Sequence, residues 1–266
     1  MMQFKVDPLH EFAYELSCIA SELHKNIAIA ALNKVPDYFW FVPASSSGKH
    51  HPISSIGMGG LVRHVKAVFA ISEELLNHPT LYTPTFTPAT KDEIRVAIIL
   101  HDTCKQGFDQ EPTHTLHEHP LLPSAHLKPD NLCKDGELAW GYICSVIETH
   151  MGPWVKDSKE KSTIILQEPQ TTAQKFMHMC DYLASRKIIE VDVTPREAQL
   201  GYPPAKNDEW KDEPATTNQI NFIVSLYREG VQRKMDVSAY KNLPDPLTKS
   251  VASQKIEELR ELLGKK

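Results

Sequence analysis

Apolar residues recur along this chain at helical spacing, and no convincing period-two alternation of the kind that marks a half-buried strand is found. Leu9 to Leu32 reads as one helix with its apolar side chains on one side. From Leu61 to Leu76, Leu61, Val68, Ile71 and Leu75 share a stripe, and His64 falls on it. Asp92 to His101 reads as a short buried helix with Ile94, Ala97, Ile98 and His101 on one side. Gly136 to His150 sets Ile143, Val146 and Ile147 in register with His150, and the turn at Gly152-Pro153 stops it. Thr171 to Ile189 carries Ala173, Met177, Asp181 and Ala184 along one face, an acid where an apolar residue is expected. The pattern predicts an all-α fold.

Breaker residues divide these stretches. Pro36 through Pro52 is a long connection rich in Pro and Ser, and long connections in compact domains are often functional, so 44–52 is expected at the rim of a site. The stretch His78 to Thr90 reads as a loop, and 103–136 as loop and short helix rich in Pro and His. Gly201 to Pro214 looks like a linker. Beyond it, Asn218 to Gly230 and Ser250 to Leu263 read as two short amphipathic helices, with Thr248 and Ser250 as credible caps. The expected organisation is a main domain over 1–200, a linker over 201–216 and a small helical module over 217–266.

Composition narrows the function classes. With 41% hydrophobic and 24% charged residues the chain is an ordinary globular sequence. No run of about 18 apolar residues is present, and the first residues lack the features of a secretory signal, so a cytosolic protein without a membrane partner is expected. Five scattered cysteines form no C-x-x-C pair and read as reduced packing residues. A net charge of −5 argues against a surface that grips nucleic acid throughout, although 217–266 holds nine Lys or Arg against six Asp or Glu. Thirteen histidines, several between His101 and His150, are the unusual feature.

A histidine on an apolar stripe is usually a hydrogen-bonded core residue. Here His64, His101, His150 and Asp181 each sit at the inward position of a separate helix, and burying them together is costly unless they are paired or bind a cation. Imidazole and carboxylate donors without thiolates suit Mn, Fe, Co or Ni, with Mg or Zn also compatible, and argue against a structural zinc.

The residues Gly-Gly-Leu-Val-Arg-His64, Ile-Leu-His101-Asp102-Thr-Cys-Lys105 and His-Met-Cys-Asp181-Tyr-Leu-Ala resemble the H…HD…D signature of the HD superfamily of phosphohydrolases. His119-Pro120 and Glu-Thr-His150-Met-Gly-Pro-Trp are similar to the extra histidines of its dinuclear branch, which includes exoribonucleases and cyclic-dinucleotide phosphodiesterases. The resemblance spans roughly 36–190. It implies a first metal held by His64, His101, Asp102 and Asp181, and a second, bridged by Asp102, held by His119 and His150, with His117 and His126 as competitors for the place of His119. Asp102 and Lys105 would be the catalytic pair, Lys105 meeting a substrate phosphate or the leaving oxygen. Lys49, His51 and Arg63 are candidate substrate contacts, and Arg186 also flanks a ligand. Gly48-Lys49-His50-His51 does not match a phosphate-binding P-loop. The implied substrate is a nucleotide or single-stranded nucleic acid. The alternative is a non-catalytic nucleotide sensor or nucleic-acid-associated protein. The C-terminal stretch resembles a helical module appended to phage and bacterial proteins that often handle DNA, with Lys234, Lys241 and Lys249 as possible contacts.

Overall fold

In the computed structural model the described residues are 6–45, 51–81, 85–108, 114–158, 161–193, 214–240 and 247–265. The chain divides into two compact units, one of Pro8–Thr194 and one of Met1–Asp7 with Pro195–Lys266. Among the described residues the secondary structure is helical, with no strand and one isolated bridge between Pro214 and Thr248. None of their helices is long and apolar enough to cross a membrane. The linker expected over 201–216 lies mostly outside the described residues.

The larger unit is built from α1 (Glu22–Leu32), α2 (Gly60–Asn77), α3 (Pro88–Leu100), α4 (Lys134–Ile147) and α5 (Thr172–Ala184). Helix α3 is the centre of the packing, touching α1, α2, α4 and α5. Its sequence explains why: Ile94, Val96, Ala97, Ile98, Ile99 and Leu100 are all fully buried, and last turns that are apolar around their circumference must be enclosed. It begins earlier than its apolar pattern suggests, because Thr87 caps it through the Thr90 amide and Pro88 occupies the first turn, where no amide hydrogen is needed.

The N-terminal stretch, expected as one helix from Leu9 to Leu32, is broken. Short helices at Pro8–Glu11 and Ala13–Ser17 precede α1, which starts at Glu22 with Ser21 as its cap. The cause is tertiary: the buried Asp92 carboxylate of α3 accepts hydrogen bonds from the Ala20 and Ser21 amides at 3.3 and 2.8 Å. Asp92 also receives Arg95 at 2.9 Å, and Arg95 makes a two-pronged pair with Glu73 of α2 at 2.8 and 3.0 Å. One guanidinium therefore joins the start of α1, the middle of α2 and the first turns of α3.

The entry to α2 is equally constrained. Phe41 and Val42 carbonyls accept the Gly59 and Leu61 amides, and Ala44 bonds Ser55. Gly59 takes the left-handed conformation at φ +68°, and a Cβ on Gly60 would stand 2.2 Å from the Ser55 carbonyl oxygen.

The smaller unit pairs α6 (Thr217–Gln232) with α7 (Lys249–Leu262) around Ile223, Leu226, Val237, Leu247, Ala252, Leu259 and Leu263. Thr216 and Gln219 form a reciprocal cap at the start of α6, and Thr248 caps α7, while Ser250 lies inside that helix. Lys241 lies outside the described residues.

Arg95→Ala should be among the most damaging single changes away from the site, because it leaves Asp92 and Glu73 buried without their cation. A loss of about 3–5 kcal/mol is expected, measurable as a lowered midpoint in urea with a native-like circular dichroism spectrum before the transition.

A candidate dinuclear metal centre

His64 comes from the buried stripe of α2, and Asp181 from α5, as their helical spacing predicts. His101 and Asp102 close the C-terminal end of α3. His150 does not lie within a helix: α4 ends at Ile147, and His150 sits in the tight turn that follows. His119 opens the short 3-10 turn His119–Leu121, its position fixed by Pro120. All but Asp181 are buried, and the Asp181 side chain keeps 20% of its surface exposed.

Three of the histidines are oriented the same way. His101 Nδ1 lies 2.8 Å from the Ile98 carbonyl, His119 Nδ1 2.6 Å from that of Leu116, and His150 Nδ1 2.7 Å from that of Ile147. A carbonyl only accepts, so each neutral ring carries its proton on Nδ1 and turns the Nε2 lone pair inward. These lone pairs meet acceptors. His119 and His150 face each other Nε2 to Nε2 at 3.1 Å, and both face Asp102 Oδ1, at 3.2 and 3.7 Å. On the other side, Asp102 Oδ2 lies 3.6 Å from both His64 Nε2 and His101 Nε2. Asp181 Oδ1 stands 2.9 Å from His64 Nε2 and 3.9 Å from His101 Nε2.

Asp102 thus divides its two oxygens between two trios, His64–His101–Asp102 and Asp102–His119–His150, each with ligand atoms within 4.8 Å of one another. Buried His101 Nε2 and Asp102 Oδ1 have no hydrogen-bond partner; His119 approaches that oxygen without the alignment a bond requires. Converging lone pairs and carboxylates buried together repel unless a cation lies between them. The group can hold a divalent ion. It also stands where α3 ends, and the partial negative charge of a helix C-terminus favours a cation there.

The electrostatics agree with the geometry. Burial alone would push the Asp102 carboxyl up, but the Lys105 ammonium, 2.5 Å away, holds it well below the usual carboxylate range. Asp181 is lowered likewise: burial opposes ionisation, and hydrogen bonding and charge at His64 outweigh it. Burial, with His119 and His101 close by, keeps His150 neutral down to about 3. Thiolates take no part, since burial pushes Cys104 and Cys144 up to about 12.

The neighbouring candidates separate. His117 Nε2 is 3.2 Å from the Val155 carbonyl and His126 stacks on Phe108, so neither joins the cluster that His119 enters. Lys105 is fixed by a turn onto the Asp102 carbonyl and by Leu116, whose amide bonds the Lys105 carbonyl. His51 packs edge-on against the His64 ring, centroids 5.2 Å apart, and burial lowers it to about 3. Arg63 points Nε, Nη1 and Nη2 at the carbonyls of Ser54, Met58 and Ile56, so three of its N–H donors organise the turn before α2. Lys49 lies outside the described residues.

His178 was not singled out by sequence. Its Nδ1 is 2.8 Å from the His150 carbonyl, and it packs so closely under Gly152 that a Cβ there would meet the ring at 2.2 Å. Gly152 is left-handed, at φ +64°. Gly-Pro after a histidine could have flagged the turn; the partner on α5, three residues before Asp181, is visible only in three dimensions.

Purified protein dialysed against Mn should retain it, raising the thermal midpoint relative to chelator-treated protein, and Asp102→Ala should lose both the metal and the shift while keeping its helical content. Equal metal retention by Asp102→Ala would contradict a shared carboxylate. Gly152→Ala should cost about 1–3 kcal/mol through its left-handed backbone, with a further penalty from displacing His178, read in the same melts. No protein-family model matches the chain, and no curated protein or solved structure matches it, so what the centre can do is read from its own atoms.

Proposed function

We propose that this protein is a metal-dependent phosphohydrolase of the HD superfamily, cleaving a phosphate ester or phosphodiester of a nucleotide or a single-stranded nucleic acid. The observation that carries the reading is the division of Asp102 between two trios whose histidines are oriented by backbone carbonyls. The order H…HD…H…H…D along the chain supports it.

His64, His101, Asp102 and Asp181 would hold one ion and Asp102, His119 and His150 the other. Bound there, divalent ions would lower the pKa of water towards neutrality and draw charge from phosphoryl oxygens. The remaining work belongs to the side chains. His101, His119 and His150 give their Nδ1 protons to carbonyls and serve orientation, not proton exchange. Lys105 carries its protons beside Asp102 Oδ2, where its ammonium would neutralise or protonate the leaving oxygen. His51, edge-on to His64, would orient the phosphoryl group. The basic C-terminal segment, with Lys234 and Lys249, leans towards a polymeric substrate and the acidic remainder of the chain towards a small nucleotide.

The test is hydrolysis, with added Mn, of nucleoside triphosphates, cyclic nucleotides, single-stranded RNA and single-stranded DNA by wild type, Asp102→Ala and Lys105→Ala. Wild type should release product, Asp102→Ala none, and Lys105→Ala should lose roughly a hundredfold in kcat. Undiminished turnover by Asp102→Ala would overturn the proposal. Metal binding with no turnover of any substrate would favour the nucleotide-sensor alternative.

A further inference from the structure

Five of the six side chains in the centre are at most 2% exposed, and Asp181 alone reaches 20%. Among the described residues the centre therefore meets solvent on the side of α5. Next to these ligands in the chain, on α5 and in the turn after His150, the exposed side chains are aromatic. Tyr182, the next residue, is 39% exposed and Trp154 is 51% exposed. Their rings are nearly parallel, 11° apart with centroids separated by 6.1 Å. His178 fills the angle between them, 5.7 Å from Trp154 and 6.2 Å from Tyr182, while its Nδ1 is held at the His150 carbonyl. The Arg186 guanidinium lies over the Tyr182 ring at 4.2 Å.

Exposed rings usually need no explanation singly. These are neither single nor loose. The turn that carries Trp154 is closed by the Met151 carbonyl and rests on His178 through Gly152, so the indole is fixed to the same backbone that aims His150. Parallel rings with a stacked guanidinium suit a flat heterocycle, which binds by its face and tolerates any base. A peptide side chain would not require parallel rings.

We propose that Trp154 and Tyr182 form a stacking platform for a nucleobase of the substrate, with Arg186 beside it for the adjoining phosphate. The platform rests on the phosphohydrolase reading and deepens it: the substrate carries a base next to the phosphate that reaches Asp102. Stacking selects base-bearing over base-free phosphates without choosing among bases.

Titration calorimetry of the full chain in chelator, which prevents turnover, would compare adenosine 5′-monophosphate with ribose 5-phosphate. Wild type should bind the base-bearing compound roughly ten- to a hundredfold more tightly. Trp154→Ala and Tyr182→Ala should each lose most of that preference, and Trp154→Phe, which keeps a ring, should retain most of it; native circular dichroism of Trp154→Phe guards against a folding artefact. Equal affinities in wild type, or an unchanged preference in Trp154→Ala and Tyr182→Ala, would overturn the platform and leave the rings to a protein surface. The two readings fail separately. A base preference alongside a silent hydrolysis panel keeps the platform and removes the enzyme, whereas turnover without a base preference removes the platform alone.

Discussion

The larger unit has to accommodate a carboxylate, Asp102, buried in its core. Both its oxygens are buried, and the groups around it are mostly acceptors: the Nε2 atoms of His101, His119 and His150, and the Asp181 carboxylate. Lys105 is the one ammonium against it among the described residues. Such a cluster holds together only if each member is prevented from turning away, and the surrounding helices do this. The last two turns of α3 are enclosed on all sides and deliver His101 and Asp102 from the helix end.

The two ends of α3 pose the same electrostatic problem and answer it differently. At the start, Asp92 and Glu73 share Arg95, and two backbone amides complete the coordination of Asp92. That network is satisfied by the protein's own donors and is structural. At the other end, Asp181 has His64 and Asp102 has Lys105, but the Nε2 atoms of His101, His119 and His150 are lone pairs and Asp102 Oδ1 is left without a donor, so the protein's own donors do not suffice. A site short of positive charge, between elements too constrained to collapse, is what a cation centre requires.

Much of this was legible in the sequence. The helical stripes that hold His64 and Asp181 predicted where those side chains point, because apolar neighbours at three- and four-residue spacing fix the inward face. The all-α class followed from the same periodicity. His101 closes the end of α3 as the sequence suggested, whereas His150, expected as the last residue of a helix, lies in the turn past the end of α4, and the apolar stripe merely leads up to it. The break before α1 was illegible because its cause, Asp92, lies 71 residues away from Ser21. Arg63 drew notice for its charge, yet the carbonyls that its donors meet are set by a turn that composition does not reveal. His178 escaped because its partner, the His150 carbonyl, belongs to another element.

The backbone locks on His101, His119 and His150 have an evolutionary consequence. A metal-binding imidazole is often steered by a second side chain, so that changing the helper loosens the ligand. Here the steering atom is a main-chain oxygen three residues earlier, which every amino acid supplies. Residues 98, 116 and 147 can be exchanged, within the limits of packing, without altering that oxygen. The side chains at these positions are thus free to change while the imidazoles keep their aim.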